Sequence, residues 1–189
     1  MQQQCVSCKN SSNAILCQQC GQALDSCFDK SAEFNAFVYR EPVKTLIHKF
    51  KYQQDLLAAK ILAQSAAIIF SGMWQQFDAI IPMPANPKRI ASRGIHCTDY
   101  LARLIMHYCL KPLPIIDTYT WRPVLSISQQ ELSYEERLKN INSDHFCVPV
   151  LRLKRYLVFE DVVTTGATWR AFQNLAPEKF FLMSLARTS

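Results

Sequence analysis

Residues 156–168 run Tyr-Leu-Val-Phe-Glu-Asp-Val-Val-Thr-Thr-Gly-Ala-Thr, and no other stretch narrows the choice of folds so sharply. Four apolar residues in a row read as a strand buried on both faces, a pattern typical of parallel sheets covered by helices. Two carboxylates, Glu160 and Asp161, follow at its end, and a Thr/Gly loop then feeds a helix expected over 168–175. Backbone N–H groups in such a loop bind phosphate, Gly166 lets the backbone approach closely, and Thr164, Thr165 and Thr168 add hydroxyl donors. Val162, Val163 and Ala167 complete the candidate phosphate segment. No Gly-Lys-Ser/Thr follows, so it is not a nucleotide P-loop. Paired carboxylates beside a phosphate suit neutral hydroxyl partners, since they would repel a second phosphate, and a ribose 5-phosphate meets that demand. A plain strand and turn followed by a threonine-capped helix would carry the same residues.

Elsewhere the chain alternates short β-like runs with longer helical ones. Strands are expected over 35–39, 78–83, 113–117, 146–150, 156–159 and 179–186. Helices are expected from Pro42, with Val43, Leu46, Ile47 and Phe50 at helical spacing, and over 56–70, 98–108 and 132–141, the last opened by Ser133 and Glu136 as a capping box. Alternation of this kind implies an α/β fold with a mostly parallel sheet and a ligand beyond the C-terminal strand ends.

Before that domain come Cys5-Val6-Ser7-Cys8 and Cys17-Gln18-Gln19-Cys20, two CxxC pairs within sixteen residues. Each presents two thiolates from a tight turn, and four thiolates suit a tetrahedral Zn²⁺ with no open position for chemistry, so the ion would be structural. Some 25 residues bury too little surface to fold alone, and metal binding would supply the missing free energy. Two unrelated cysteine pairs are the alternative. Cys27 is either a spare ligand or a packed thiol, while Cys97, Cys109 and Cys147 sit in apolar stretches and are expected to behave as small buried hydrophobes. The domains expected are therefore a four-cysteine, zinc-ribbon-like module over 1–31 and the α/β domain over 32–189.

At 189 residues, 49% hydrophobic and 19% charged, the chain is too apolar to be disordered. Neither a secretory leader nor a bilayer-spanning run is visible, so a cytoplasmic protein without membrane insertion is expected. The net charge of +6 suits an anionic partner. Lys88, Arg89 and Arg93 lie in a loop expected over 84–94 and are candidates for pyrophosphate, with solvated surface charge as the alternative. Lys44, His48, Lys49, Lys51 and Tyr52 combine charge with an aromatic ring, the ingredients for single-stranded DNA, and equally those of a solvated helix face.

The loop over 156–168 resembles the PRPP-binding loop of type I phosphoribosyltransferases, and nearly the whole chain resembles the ComF family, which pairs a zinc module with such a domain. The likeness is carried by the CxxC pairs, by Ile47-His48-Lys49-Phe50-Lys51-Tyr52, Ile81-Pro82-Met83-Pro84, Lys88-Arg89 and Arg93-Gly94, and by Arg122, Gln129, Leu132, Arg137, Asn140 and Phe146. It departs at Ile95-His96-Cys97, where the family has Phe-Asn-Gln, at Asn86, where a His is common, and at Gln53-Gln54, where a Gly is frequent. The resemblance implies a cytoplasmic competence protein for DNA uptake, with partners in the competence machinery and a PRPP site that uses Mg²⁺. Phosphoribosyl transfer is the implied reaction if the site is active, with Glu160 and Asp161 orienting the ribose. A PRPP or nucleotide sensor that holds single-stranded DNA, and a nucleobase-salvage phosphoribosyltransferase, are the alternatives.

Overall fold

The computed structural model describes residues 3–29, 34–122 and 146–188. The predicted helix over 132–141, together with Gln129, Arg137 and Asn140, lies outside the described residues. The chain opens with a two-stranded antiparallel ribbon, β1 (Gln3–Gln4) and β2 (Ser11–Ser12), and helix α1 (Gln18–Ser26). Strand β3 (Asn35–Val38), helices α2 (Val43–Gln53) and α3 (Leu56–Ile69), strand β4 (Ala79–Pro82) and helices α4 (Pro87–Arg93) and α5 (Cys97–Tyr108) follow. Strand β5 (Tyr156–Val163), helix α6 (Ala167–Gln173) and strand β6 (Phe180–Arg187) complete the described fold. No helix of the described residues is long and apolar enough to cross a membrane.

The main sheet is parallel throughout, in the order β3-β6-β5-β4. Alternation along β5 sends Leu157 and Phe159 into one apolar cluster and Tyr156 and Val158 into another, so both faces are covered. The first cluster holds Val43, Leu46, Ile47 and Phe50 of α2 with residues of α3 and α5, and the second holds Ala171 and Phe172 of α6 with Trp121 and Phe146. Helices therefore flank a parallel sheet as expected. Asp55 starts α3 by accepting from the N–H groups of Leu57 at 3.0 Å and Ala58 at 3.1 Å. The cysteine module shares the core of the main domain: its Val6, Leu24 and Cys27 join the first cluster.

Five local expectations are corrected. The basic loop contains helix α4, with the Asn86 side chain accepting from the Lys88 N–H at 2.9 Å, Pro87 in the first turn, and Gly94 closing it at φ 70°. Strand β5 runs four residues past Phe159, because Glu160, Val162 and Val163 keep pairing with Ser184, Ala186 and Arg187 of β6. Residues 113–117 contribute a single parallel bridge, Ile115 to Ile80, and 146–150 form no strand. Cys147 is exposed rather than buried, whereas Cys97 is buried and Cys109 half-buried.

Candidate functional site: a cationic cavity at the strand ends and a four-cysteine cluster

Strand β4 stops at Pro82, which faces Phe159, and Pro84 follows it. Two prolines supply no ladder N–H, so the chain peels away after Met83 donates its N–H to the Phe159 carbonyl at 2.8 Å. The edge of β5 beyond that point loses its neighbour on the β4 side. The connection from β4 leads to α5 on one face, while that from β5 leads to α6 on the other. Adjacent strands whose connections part in this way frame a crevice at their C-terminal ends, the usual ligand position of open α/β sheets.

A polar cavity of about 180 Å³ fills this crevice. Its walls include Glu160, Asp161 and Thr168 from the β5–α6 side, Arg89 and Arg93 from α4, Lys51 and Tyr52 from α2, and Arg122. Consecutive strand residues point to opposite faces, and this explains how two adjacent carboxylates acquire different partners. Asp161 turns toward α2 and α5: Lys51 Nζ lies 2.8 Å from Oδ1, and Thr98 Oγ1 donates to Oδ2 at 3.4 Å. Glu160 turns the other way. Burial, with the Asp161 charge adding to it, pushes its carboxyl from the ordinary 4.5 up to about 8, while Lys51 and Arg122 pull it down only in part. Near neutrality Glu160 is largely protonated and Asp161 is paired with a cation. The repulsion that an adjacent carboxylate pair would exert on phosphate is thereby reduced.

The phosphate-loop candidates divide by position. Val162 and Val163 belong to the strand, and Thr188 donates its N–H to the Val163 carbonyl at 3.0 Å. Thr164 is exposed, Thr165 Oγ1 accepts from the Ala167 N–H at 3.3 Å, and Thr168 reaches the cavity. Gly166 adopts φ 70°, a left-handed conformation that a side chain disfavours, and a Cβ there would sit 3.3 Å from Arg170 Nη1. Of the pyrophosphate candidates, Arg89 and Arg93 line the cavity, one helical turn apart on α4. Lys88 is exposed and is not among the lining residues.

The five residues read as a DNA face also separate. Lys44, His48 and Tyr52 are exposed and spaced four apart along α2, with the His48 and Tyr52 rings 4.6 Å apart and the Arg93 guanidinium 5.0 Å from the Tyr52 ring. Lys51 is drawn into the cavity. Lys49 donates to the carbonyl of Val6, and to that of Ser7 at 3.4 Å, tying α2 to the turn between Cys5 and Cys8.

Thr98, at the cavity, and His96, which supports it, are residues to which the sequence reading assigns no role; Lys51 it places on the DNA face, and Arg122 it names only among the residues that carry the family resemblance. Lys51 carried a local signal, since it stands one turn beyond buried Ile47. His96 links two elements: its Nε2 faces the Ala85 N–H at 3.2 Å and its Nδ1 accepts from the Asp99 N–H at 3.0 Å, anchoring the loop after β4 to the start of α5. Burial holds its pKa below the ordinary histidine range despite Asp99, and a neutral ring accepts at one nitrogen only.

In the amino-terminal module the four sulfurs of Cys5, Cys8, Cys17 and Cys20 lie within 4.8 Å of one another. Tetrahedral Zn²⁺ with Zn–S near 2.3 Å requires S···S edges of about 3.8 Å, and Cys8 Sγ to Cys17 Sγ is 3.8 Å. The donor set and spacing fit the ion. Burial raises the Cys5 thiol, yet N–H groups of Cys17, Cys8 and Ser7 outweigh it and bring the group to about 6. Cys20 is pushed up to about 12 by burial and by the neighbouring thiols. Four thiolates at this spacing need a cation. Cys27 is a packed thiol outside the cluster, with Sγ 3.2 Å from the carbonyls of Ala23 and Glu41.

A larger apolar groove of about 850 Å³ runs between α1, α3 and the end of α5, with Asp25 and Lys111 as its charged lining residues. It holds none of the candidate site residues described above.

No protein-family model matches the chain. Over 185 residues it is 26% identical to competence protein F of Haemophilus influenzae, a match that covers 90% of this chain and 79% of the relative. That span reaches across nearly the whole sequence and supports the resemblance carried by its motifs.

Proposed function

We propose that this ComF-family chain serves competence as a phosphoribosyl-binding protein, taking PRPP or a related phosphoribosyl compound in the cavity at the ends of β4 and β5. The observation that carries the reading is the meeting of Glu160, Asp161 and Thr168 with Arg89, Arg93 and Arg122 around one cavity. A sugar bearing hydroxyls in its middle and phosphates at its ends matches that order of groups. Thr164, Thr165, Gly166, Ala167 and Thr168 would hold the 5-phosphate through N–H and hydroxyl donors. Asp161 retains lone pairs for ribose hydroxyls after pairing with Lys51, and protonated Glu160 can donate as well as accept.

For transfer from C1 of the ribose, positive charge grows on the ring as pyrophosphate departs. Asp161 tolerates the first, and the arginines stabilise the second by preorganised electrostatics. Mg²⁺ carried on the pyrophosphate oxygens would lower the charge of the leaving group. The described residues of the cavity offer no oxygen cage, because Asp161 is paired and Glu160 is near neutral, so the ion would enter on the ligand's phosphates. Zn²⁺ in the cysteine cluster would be structural. A salvage enzyme is a weaker reading, since such a role gives the zinc module nothing to do.

The test is thermal unfolding of the zinc-loaded protein with and without Mg-PRPP, beside Asp161→Ala. Ligand at one hundred times its dissociation constant stabilises by about 2.7 kcal/mol. The shift is expected in the parent protein and absent in the variant; no shift at millimolar ligand would refute the reading. Pyrophosphate release in an acceptor screen then separates an enzyme from a sensor.

One observation favours a second role beside the first. Lys44, His48 and Tyr52 form an exposed stripe along α2 that ends at the cavity mouth, which suits a single DNA strand held by phosphate attraction and base stacking. Lys44→Glu with His48→Ala should weaken oligonucleotide binding and flatten its salt dependence; unchanged affinity and slope would remove this role.

A further inference from the structure

The groove between α1, α3 and the end of α5 is walled by both parts of the chain, α1 from the cysteine module and α3 and α5 from the α/β domain. It shares no lining residue with the cavity at the strand ends. Of the fourteen residues of α3 only Lys60 is charged, and a helix so apolar is normally covered on every side. Here Ile68 stands 74% exposed at the groove, and Leu110, just past α5 and also on its wall, is fully exposed. Single exposed apolar residues are ordinary, but these two border one apolar hollow of about 850 Å³. Two places in the wall are open to close approach, since no atom lies within 4 Å of where a Cβ would stand on Gly21 or Gly72. One face thus carries both projecting apolar side chains and a hollow able to receive them.

The charges of the groove are opposite in sign, Asp25 and Lys111, and neither forms an ion pair among the described residues. A chain of net charge +6 repels its own copy along most approaches, whereas this face, with one charge of each sign, is neutral. A two-fold axis brings residue i of one copy to residue j of the other and j to i, so unlike charges on one face can form two crossed pairs, and knobs meet hollows twice.

We propose that a second copy of this chain docks on the groove about a two-fold axis, with Ile68 and Leu110 of each copy entering the groove of the other and Asp25 of each facing Lys111 of the other. The contact would clamp α1 to α3 and α5 in both copies and so hold the cysteine module against the α/β domain. The inference stands apart from the phosphoribosyl reading.

The experiment is sedimentation equilibrium of the full zinc-loaded chain at about 1–100 μM, as parent, Ile68→Asp, Leu110→Asp, Asp25→Lys, Lys111→Asp and the double variant that joins the last two. All four side chains are exposed, so the fold of the single chain should survive each change. The parent should pass from monomer to dimer within that range. Ile68→Asp and Leu110→Asp should each raise the dissociation constant on the order of tenfold or more. Each single charge reversal sets like charges against each other and should raise it about threefold or more, and the double variant should return to within about twofold of the parent. That recovery is specific to a second copy, because the charges of a foreign partner would stay as they were. A parent that remains monomeric at the top of the range overturns the proposal. So does a dimer that neither apolar substitution weakens, or a double variant that binds itself no more tightly than the single reversals.

Discussion

Replacing Glu160 by Gln should make the protein more stable, and increasingly so as pH rises. Folding lifts the Glu160 carboxyl from 4.5 to about 8, chiefly by burial and secondarily by the adjacent Asp161. An acid whose folded pKa lies above its unfolded value binds a proton more tightly in the folded state. Its contribution is fully present below about pH 4.5 and is lost as pH climbs to about 8, where the folded form must also ionise. One proton held in the folded state and released in the unfolded state corresponds to at most about 1.4 kcal/mol per pH unit. Solvent that the cavity admits to Glu160 lowers its folded pKa and narrows the window over which this slope acts, bringing the average between pH 5.5 and 7.5 to roughly 0.5–1 kcal/mol per unit. Glu160→Gln is a neutral near-isostere that keeps an acceptor and removes the titration. Denaturant unfolding of the zinc-loaded parent and variant between pH 5.5 and 7.5 should give curves that diverge with pH, the variant gaining about 1–2 kcal/mol across the window. Comparing the two at each pH cancels any titration of the cysteine cluster. Parallel profiles would mean that Glu160 ionises as an exposed carboxylate and would refute the account of the cavity as a poorly solvated, cationic site. A variant less stable at every pH would show that Arg122 relies on the ionised carboxylate and would equally refute it.

Other consequences are open to direct measurement. Metal analysis of the unproteolysed chain should find about one zinc per molecule, and stripping it should abolish ordered structure over 3–29, read as lost amide protection there. Lys51→Met should cost about 1–3 kcal/mol in a denaturant titration, because it leaves the half-shielded Asp161 without its cation; a change under 0.3 kcal/mol would show that the pair is no more than a surface contact. Gly166→Ala should lower stability by about 1–2 kcal/mol, since the residue sits at φ 70°, and should weaken ribose 5-phosphate binding more than it weakens folding. Lys49→Met should loosen the Cys5–Cys8 turn by removing the donor to Val6 and Ser7, measurable as faster zinc loss to a chelator, with an unchanged rate counting against that link.

The amino-acid sequence carried whatever is set by neighbours along the chain. The CxxC spacing put four thiols within reach of one ion, and the apolar run before Glu160 made a buried parallel strand. The 3–4 spacing of Val43, Leu46, Ile47 and Phe50 made the core face of α2. Helix α4 was also written locally, in Asn86 as cap, Pro87 at the first turn and Gly94 at the end, although the density of basic residues read more readily as a loop. The extension of β5 was not local. Glu160 through Val163 remain strand because β6 supplies a partner as far as Arg187, and no property of the carboxylates themselves announces it.

What tertiary structure decided is the allegiance of each charge. Lys44, Lys49 and Lys51 are alike in sequence, yet one faces solvent, one binds carbonyls of the cysteine module 42 and 43 residues away, and one pairs with Asp161. The period of the helix, about 100° per residue, turns Lys49 away from Lys44 and Lys51, which share one side two turns apart, but only the packing of α2 against both the cysteine module and the sheet determines what each of the three meets. Arg122 shows the same division. Sequence marks it as a cation; its burial beside Arg89 and a nearly neutral Glu160 arises only when the chain segments after β4 and β5 close around one crevice. Secondary structure follows from interactions a few residues long, whereas the free energy of a charge depends on everything within several ångströms of it, wherever in the chain that comes from.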